Sequence, residues 1–290
     1  MMELVRACPL CDHLDHTPFD RREFRGRSVE NSRCRNCGLV FLSPRMTAQE
    51  LEEFYTEEYR RLYQHTEGPS EKDLNVQRAR AASLATFLGS KVSGLSRHLD
   101  IGSSTGELLE RIRKIFSTQP VGIEPGDSYR AHASRQGLRI YASLDALQAD
   151  DKAPFDLISM AHVLEHLPDP VAYLRELREN YLHPNGWLLL EVPNLYAHDS
   201  FEVAHLMAFS AHTLGQVVRR AGFEVVVLKK HGQPRSRLLP LYLTLLARPL
   251  DGSSVPELRP ERFVPLKRSV GMLRRRVLSR LFPKLAWVSV

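Results

Sequence analysis

The chain has 290 residues, of which 43% are hydrophobic and 26% are charged. These proportions are those of a folded globular protein and exclude a collagen-like or wholly disordered chain. The longest apolar run, residues 238–247, is about half the ~20 residues that a membrane-spanning helix needs. The first six residues contain no apolar signal-peptide core, so we expect a cytoplasmic protein.

Basic side chains are concentrated in the last part of the chain. The 40 Lys and Arg residues outnumber the 34 Asp and Glu residues, which gives a net charge of +6. Residues 228–290 alone hold 14 basic and 3 acidic side chains, so the rest of the chain is acidic on balance. Such asymmetry indicates a tail that meets the phosphates of lipid or nucleic acid, or else a solvated basic helix.

All four cysteines lie within the first 37 residues, in two C-x2-C pairs separated by 22 residues. The pairs are Cys8 with Cys11 and Cys34 with Cys37. Two such turns supply the four thiolates that tetrahedral Zn²⁺ accepts, and strands between and after them would make a zinc ribbon. One alternative is two disulfides, which a reducing cytosol disfavours. The other is a redox C-x-x-C pair, which would not be expected to occur twice.

Four thiolates fill the coordination sphere of zinc and leave no position for water or substrate. We therefore predict a structural zinc ion and not a catalytic one. A segment of about 45 residues is too small to fold by burial alone, so the metal would stabilise a ribbon domain over residues 1–45.

Residues 46–90 are predicted to form a helical linker or lid. Thr47 and Glu50 have the spacing of a capping box that opens a helix from 48 to about 63. One apolar stripe follows that helix, formed by Leu51, Phe54, Tyr55, Tyr59 and Leu62. A second helix is expected over about 74–88.

Residues 91–250 alternate between strand and helix patterns. This rhythm predicts an α/β fold with a doubly wound, mostly parallel, seven-stranded sheet of Rossmann-like type. The predicted strands cover 97–101, 121–123, 138–142, 155–161, 187–192, 223–228 and 241–247. The predicted helices between them cover 107–116, 128–136, 170–182 and 213–221.

A glycine turn follows the first of these strands. Gly102 and Gly106 would let a ligand approach the backbone, and Asp100 precedes them at the strand tip. Glu124 ends the next strand, where a carboxylate can bind both hydroxyls of a ribose. The glycines do not have the G-x-G-x-x-G spacing of a dinucleotide turn, and an adjacent acid suits a cationic ligand better than a pyrophosphate.

Residues 97–230 resemble a class I S-adenosylmethionine-dependent methyltransferase. The resemblance rests on the segments LDIGSSTG (99–106), GIEP (122–125), FDLI (155–158), VLEHLPDP (163–170), LEVPN (190–194), HLMAFS (205–210) and AGF (221–223). The cysteine pairs, followed by Phe54, Tyr55 and Tyr59, also resemble a subgroup in which a zinc ribbon precedes this domain.

The resemblance implies S-adenosylmethionine as cofactor and assigns residues to it. Asp100, Gly102 and Gly106, with Ser103 in the same turn, would hold the methionine part. Glu124, followed by Pro125, would bind the ribose. The loop at Ser143 and Leu144 would border the adenine, and His162 would lie near the transferable methyl group. The family usually has a glycine where this chain has Ser104, which bears on the geometry of the turn.

Candidate catalytic residues are His162, Glu165, His166 and His205. The first three are spaced i, i+3, i+4 and could share a helical face, as metal ligands, as a general base or as packing residues beside the cofactor. His205 is expected in the loop over the acceptor, where it would take a proton from a hydroxyl or cap and pack.

These features predict methyl transfer to a hydroxyl of a small-molecule or saccharide acceptor. An RNA methyltransferase and a non-catalytic binding module are the alternatives. Against RNA, residues 159–162 read Ser-Met-Ala-His and not the Asn/Asp-Pro-Pro-aromatic motif of enzymes that methylate base nitrogens. Against a non-catalytic module, Asp100, Gly102 and Glu124 are intact.

Residues 251–290 form a predicted C-terminal extension. A proline-rich connector to 265 leads into a basic amphipathic helix over 266–287, interrupted at Pro283. This helix could lie on the inner face of an anionic membrane, cover the sheet or a second subunit, or bind nucleic acid, the last being the least favoured.

Overall fold

The computed structural model describes residues 2–54, 68–250 and 257–288. The strands are β1 (His16–Phe24), β2 (Arg27–Cys34), β3 (Val40–Leu42), β4 (Arg97–Ile101), β5 (Gln119–Ile123), β6 (Arg139–Tyr141), β7 (Phe155–Ala161), β8 (Leu182–Pro193), β9 (Met207–Ala208), β10 (Phe223–His231) and β11 (Tyr242–Pro249). The helices are α1 (Ala48–Glu53), α2 (Glu71–Gly89), α3 (Glu107–Phe116), α4 (Asp127–Arg135), α5 (Leu144–Asp150), α6 (Pro170–Asn180), α7 (Ala211–Arg220), α8 (Val264–Leu281) and α9 (Pro283–Ala286).

The large sheet has the strand order β10-β11-β8-β7-β4-β5-β6. Strand β4 pairs in parallel with both β5 and β7, and β6 and β8 extend the parallel part on either side. Strand β11 is antiparallel to both of its neighbours. This arrangement confirms the predicted fold class, because successive strand–helix units wind to one side of β4 and then to the other.

Helices cover both faces of this sheet. Alternate strand residues point to opposite faces, so Leu157 packs in one hydrophobic cluster and its neighbour Ile158 in another. The cluster with Leu157 is closed by helices α2 and α3. The cluster with Ile158 is closed by α6 and α7. Burial on both faces explains why the sequence of β7 is almost wholly apolar.

The N-terminal strands form a second, antiparallel sheet in the order β1-β2-β3-β9. Strands between and after the cysteine pairs agree with the predicted ribbon. Its fourth member, β9, comes from a distant part of the chain and pairs with Val40 and Phe41 of β3. The ribbon therefore joins the loop that precedes α7, and its buried residues belong to the same cluster as Ile158.

Several predicted bounds differ from the observed ones. Helix α1 begins at the predicted capping box of Thr47 and Glu50, but the rest of the predicted helix, with Tyr55, Tyr59 and Leu62, lies outside the described residues. Helix α2 begins at Glu71, before the predicted start, because Ser70 and Asp73 form a capping box of their own. Helix α5 was not predicted.

The C-terminal helix begins at Val264, two residues before the predicted start, because Pro265 is accommodated in its first turn, where no backbone N–H is needed. The predicted interruption at Pro283 is present, since α8 ends at Leu281 and α9 begins at Pro283. Among residues 2–54, 68–250 and 257–288, no helix has both the length and the apolar character of a membrane span.

Candidate functional site

A cavity of about 570 Å³ opens at the carboxyl ends of β4, β5 and β7. In doubly wound sheets the strand order reverses at this point, which leaves a crevice between the loops that follow adjacent strands. Gly102, Glu124, Pro125 and His162 line the cavity, as do His166 and His205. The cavity thus brings predicted cofactor residues and three predicted catalytic histidines to one place.

The turn after β4 forms one wall. Gly102 and Gly106 have φ values of 71° and 81°, a backbone conformation that favours glycine. A Cβ on Gly102 would lie 2.5 Å from Cγ2 of Val163, and one on Gly106 would lie 2.3 Å from Cδ1 of Leu138. Ser104, which replaces the family's usual glycine, keeps a positive φ of 51°. Ser104 thus adopts the same left-handed conformation as Gly102 and Gly106.

Glu124 is held rigidly at the end of β5. Its Oε2 accepts a hydrogen bond of 2.9 Å from the amide of Ser104, and its Oε1 accepts one of 2.8 Å from the amide of Gly126. These two amides fix the plane of a carboxylate that lies on the cavity wall. A carboxylate fixed in this way can accept hydrogen bonds from the paired hydroxyls of a ribose.

Asp100 does not line the cavity. Its side chain is buried between β4 and β7, where Oδ1 accepts a 2.6 Å hydrogen bond from the hydroxyl of Ser159. Burial raises the pKa of Asp100 to about 7, because the charged carboxylate loses its hydration. The hydrogen bond from Ser159 lowers the pKa in part, and the negative charge of Glu124 raises it further. Sequence alone could not show that this strand-tip acid points into the sheet.

Four more predicted cofactor residues lie outside the cavity wall. The hydroxyl of Ser103 is buried beneath Gly122. Gly106 is the N-cap of α3. Ser143 is the N-cap of α5 and accepts a 3.2 Å hydrogen bond from the amide of Ala146, and Leu144 begins that helix. Their contact with a cofactor remains a prediction.

His162 follows β7 directly and has a positive φ of 59°. Its Nδ1 lies 3.3 Å from Oε1 of Glu165, and its Nε2 lies 3.3 Å from Oε1 of Glu191. Burial and the charge of Arg80 lower the pKa of His162, but the two carboxylates outweigh them and raise it above its usual value. Two anions facing both ring nitrogens favour the imidazolium form.

Glu165, His166 and His205 converge beside His162. One ligand atom from each of the three lies within 4.8 Å of the other two, close enough to share a cation. Glu165 is only 1% exposed and sits in a single 3-10 turn, Leu164–His166. The expected α-helical face is therefore wrong: a strand end, a tight turn and a distant loop bring these side chains together.

Both histidines of this group are oriented by backbone carbonyls. Nδ1 of His166 donates to the carbonyl of Ala204 at 2.8 Å, and Nδ1 of His205 donates to that of Ser200 at 2.7 Å. Because a carbonyl only accepts, the proton of each neutral ring is on Nδ1 and the lone pair is on Nε2. Burial, together with the nearby His205, lowers the pKa of His166 to about 4.

The prediction missed the site's second buried acid. Glu191 is 1% exposed near the carboxyl end of β8, where Oε1 accepts a 3.0 Å hydrogen bond from Nε of Arg80. Nε2 of His231 lies 3.3 Å from its Oε2. The sequence does contain a sign of this residue, because Glu191 interrupts the apolar run Leu-Leu-Leu-Glu-Val of a buried strand. A charge buried in this way needs polar partners, which indicates a functional or paired acid.

The four cysteines form a separate cluster within the ribbon. Their sulfurs all lie within 4.8 Å of one another, and the pairs Cys8–Cys37 and Cys11–Cys34 are each 3.5 Å apart. A tetrahedral zinc ion with 2.3 Å bonds separates its sulfurs by about 3.8 Å, whereas a disulfide needs about 2 Å. The donor set and its spacing fit one zinc ion.

Comparison with known proteins identifies the family of the chain. The methyltransferase-domain family matches residues 51–228. A ubiquinone biosynthesis O-methyltransferase from Nitrosospira multiformis is 29% identical over 150 residues, which are 44% of this chain and 62% of that protein. One from Vibrio vulnificus is 30% identical over 97 residues, 31% of this chain and 41% of that protein. The chain thus spans less than two thirds of these relatives.

A solved structure has a similar fold. The 1,6-didemethyltoxoflavin-N1-methyltransferase of Burkholderia thailandensis, determined with its namesake ligand and S-adenosylhomocysteine, has a TM-score of 0.57 and 18% identity over 80% of this chain and all of that one. At this identity the likeness concerns the fold. The family match confirms the resemblance drawn from the sequence motifs: the chain belongs to the methyltransferase-domain family and has the fold of the class I S-adenosylmethionine-dependent enzymes.

Proposed function

We propose that this protein is an S-adenosylmethionine-dependent O-methyltransferase whose acceptor is a hydroxyl of a small molecule or saccharide. The observation that carries the proposal is one cavity lined by a fixed carboxylate, Glu124, and by His166 and His205, which are grouped with the buried Glu165. The names of the curated relatives support an oxygen acceptor.

The cavity has the size and the polar groups that the cofactor needs. Its volume of about 570 Å³ is within the ~300–1,000 Å³ range of small-molecule sites. Glu124 would accept the hydrogen bonds of the ribose hydroxyls, and the backbone at Gly102 and Ser104 would border the methionine part. When bound, S-adenosylmethionine supplies a methyl group already activated on a sulfonium.

The chain must then orient the acceptor and remove its proton. His205 suits the second task because its Nδ1–H is fixed on Ser200 and its Nε2 can accept the proton. Glu165, buried nearby, would stabilise the resulting imidazolium. His162 is placed differently: both of its nitrogens face carboxylates, so we assign it a positioning role.

Calorimetry with S-adenosylhomocysteine tests cofactor binding. We expect Glu124→Gln to weaken binding by about 10- to 100-fold, because charged hydrogen bonds to the ribose are lost. The matched control is Glu179→Gln, since Glu179 is exposed on α6 and far from the cavity wall. Absence of binding to the wild type, or equal binding by both variants, would refute the proposal. Binding without methyl transfer to any acceptor pool would support the non-catalytic alternative.

We also propose that the four cysteines hold one structural zinc ion. Cys34 ends β2, Cys37 lies in the turn before β3, and Cys8 and Cys11 precede β1, so a shared metal would fix the ribbon strands relative to one another. Metal analysis of the purified protein should find about one equivalent of zinc, and a value near zero would end this proposal.

A further inference from the structure

Helix α8 is attached to the molecule by its polar face. Arg268 is buried, and its guanidinium donates to the carbonyl of His198 at 2.6 Å and to Asp199 at 3.0 Å. About two turns on, Arg275 donates to the carbonyl of Ala197 at 3.0 Å. Between them, a Cβ on Gly271 would lie 1.8 Å from the carbonyl oxygen of Tyr196. The face formed by Arg268, Gly271 and Arg275 is therefore the one that packs on the protein.

The opposite face of the same helix is apolar and exposed. Five aliphatic side chains recur every three or four residues and so form one stripe along the helix. They are 62, 58, 57, 45 and 64% exposed at Leu266, Val270, Leu273, Val277 and Leu281. At 1.5 Å per residue the stripe is about 22 Å long. Such a continuous exposed stripe indicates a binding surface.

Cations border the stripe on both sides. Lys267 and Arg274 follow one edge, and Arg276 and Arg280 follow the other, as the 100° turn per residue requires. All four are exposed, and Val264–Leu281 contains no acidic residue. An apolar stripe between two cationic rows matches the boundary between anionic headgroups and acyl chains.

We propose that α8 docks on the surface of an anionic lipid bilayer, with its aliphatic stripe in the interface and its bordering cations on the headgroup phosphates. A second copy of the chain fits less well, because self-pairing of the stripe would place these cationic rows side by side. Nucleic acid also fits less well, since its phosphates would leave the aliphatic stripe in water.

This surface lies beside the cavity. The segment that receives Arg268 and Arg275 contains His198, which lines the cavity. The chain after α9 contacts a second lining segment, since the amide of Val288 donates to the carbonyl of Arg235 at 2.9 Å. Docking through α8 would therefore bring this side of the cavity close to the headgroups.

Co-sedimentation of the full chain with vesicles tests the proposal without cofactor or acceptor. We expect binding to vesicles that contain phosphatidylglycerol and much weaker binding to pure phosphatidylcholine. Replacing Leu273 and Val277 together by Glu should lower the partition coefficient at least about tenfold, because two aliphatic groups no longer enter the interface. Replacing Arg274, Arg276 and Arg280 together by Gln should weaken binding to the anionic vesicles selectively.

The matched control is Ile115→Glu, because Ile115 is an aliphatic residue 47% exposed on helix α3, and this variant should bind vesicles as the wild type does. Thermal melts of all variants establish that each one folds. The proposal would be overturned if the wild type did not bind anionic vesicles, or if the α8 variants bound them as well as the wild type does. Formation of a wild-type dimer or an RNA complex without binding to vesicles would also overturn it. Methyl transfer to a soluble acceptor should be unchanged in the α8 variants, so membrane docking and the proposed activity can fail separately.

Discussion

At the residue scale, Glu165 determines what the acceptor side of the cavity can do. Burial alone would favour a neutral carboxyl, but the ion pair with His162 at 3.3 Å and the electrostatic effect of the nearby His166 and His205 lower the pKa of Glu165 to about 2. The group is thus an anion at neutral pH, with the imidazolium of His162 as its counter-charge and the rings of His166 and His205 beside it. This environment favours proton acceptance by a neighbouring histidine.

We expect His205→Ala to lower kcat by about 10²- to 10⁴-fold, the usual contribution of a general base. Glu165→Gln should lower kcat less, because the base remains but its imidazolium loses a counter-ion. Neither change should alter the dissociation constant of S-adenosylhomocysteine, and the control is His183→Ala, since His183 lies at the start of β8 and does not line the cavity. Full turnover by His205→Ala would exclude it as the base. If Mg²⁺ restored activity after chelation, Glu165, His166 and His205 would instead be metal ligands.

Asp100 gives a second prediction at this scale, on stability against pH. Its pKa is about 7 in the folded chain and near 3.8 in the unfolded one, so the folded state binds the proton more tightly. The stabilisation is complete below pH 3.8 and is lost as the pH rises through 7. The wild type should therefore lose on the order of 4 kcal/mol of unfolding free energy between pH 4 and pH 8 that Asp100→Asn, which has no charge to bury, does not lose.

Urea unfolding at a series of pH values measures this difference. The neutral amide can still accept the hydrogen bond from Ser159, so the variant tests the charge and not the contact. Asp145→Asn, an exposed position in the first turn of α5, is the control and should show the pH dependence of the wild type. Parallel stability curves for Asp100→Asn and wild type would contradict the prediction.

At the element scale, the ribbon is coupled to the loop that carries His205. Strand β3 pairs with β9, and the amide of Leu42 donates to the carbonyl of Leu206 at 2.9 Å, directly after His205. Phe19 of β1 also packs edge-on against Phe201 of the same loop, with ring centroids 6.2 Å apart. The cysteine cluster thus lies away from the cavity, but the ribbon that it belongs to supports one of the cavity walls.

Cys37→Ser should consequently impair catalysis as well as zinc content. Loosening β3 releases β9 and lets His205 move, so kcat should fall and the KM of the acceptor should rise. The affinity for S-adenosylhomocysteine should stay near that of the wild type, because Glu124 and the turn after β4 belong to the large sheet. Equal loss of cofactor affinity and turnover would mean that the ribbon supports the whole fold and not this loop in particular.

The elements differ in how well their sequences predicted them. Helix α3 has the predicted bounds because an apolar stripe lies between Gly106 and Ser117, both of which adopt the left-handed conformation that ends a helix. Helix α5 has one buried residue, Leu147, and so no stripe to detect. Strand β9 has two residues, and its pairing with β3 depends on contacts about 165 residues apart in sequence.

At the scale of the whole molecule, one hydrophobic cluster joins the ribbon to the large sheet. Cys8, Cys34 and Phe41 belong to the same cluster as Leu99 and Leu190 of the central strands. A protein with a continuous core unfolds cooperatively, so the ribbon and the sheet should not melt independently.

Calorimetry of the zinc-loaded protein should therefore show a single transition. Removal of zinc by a chelator should lower its midpoint, because binding energy that belongs only to the folded state is lost. Two separate transitions in the loaded protein would show that the ribbon is an independent domain with a boundary near residue 45.

The sequence by itself determined the features that depend on neighbouring residues: the two cysteine pairs, the glycine turn with Glu124, and the alternation that specifies a doubly wound sheet. Only the tertiary structure decided that Asp100 points into the sheet, that His205 meets Glu165, and that α8 turns its aliphatic stripe outward. The physical reason is the distance along the sequence between the residues that interact. A turn or an amphipathic pattern is fixed by residues a few positions apart, whereas the direction and partners of a side chain depend on segments that meet only after the chain has folded.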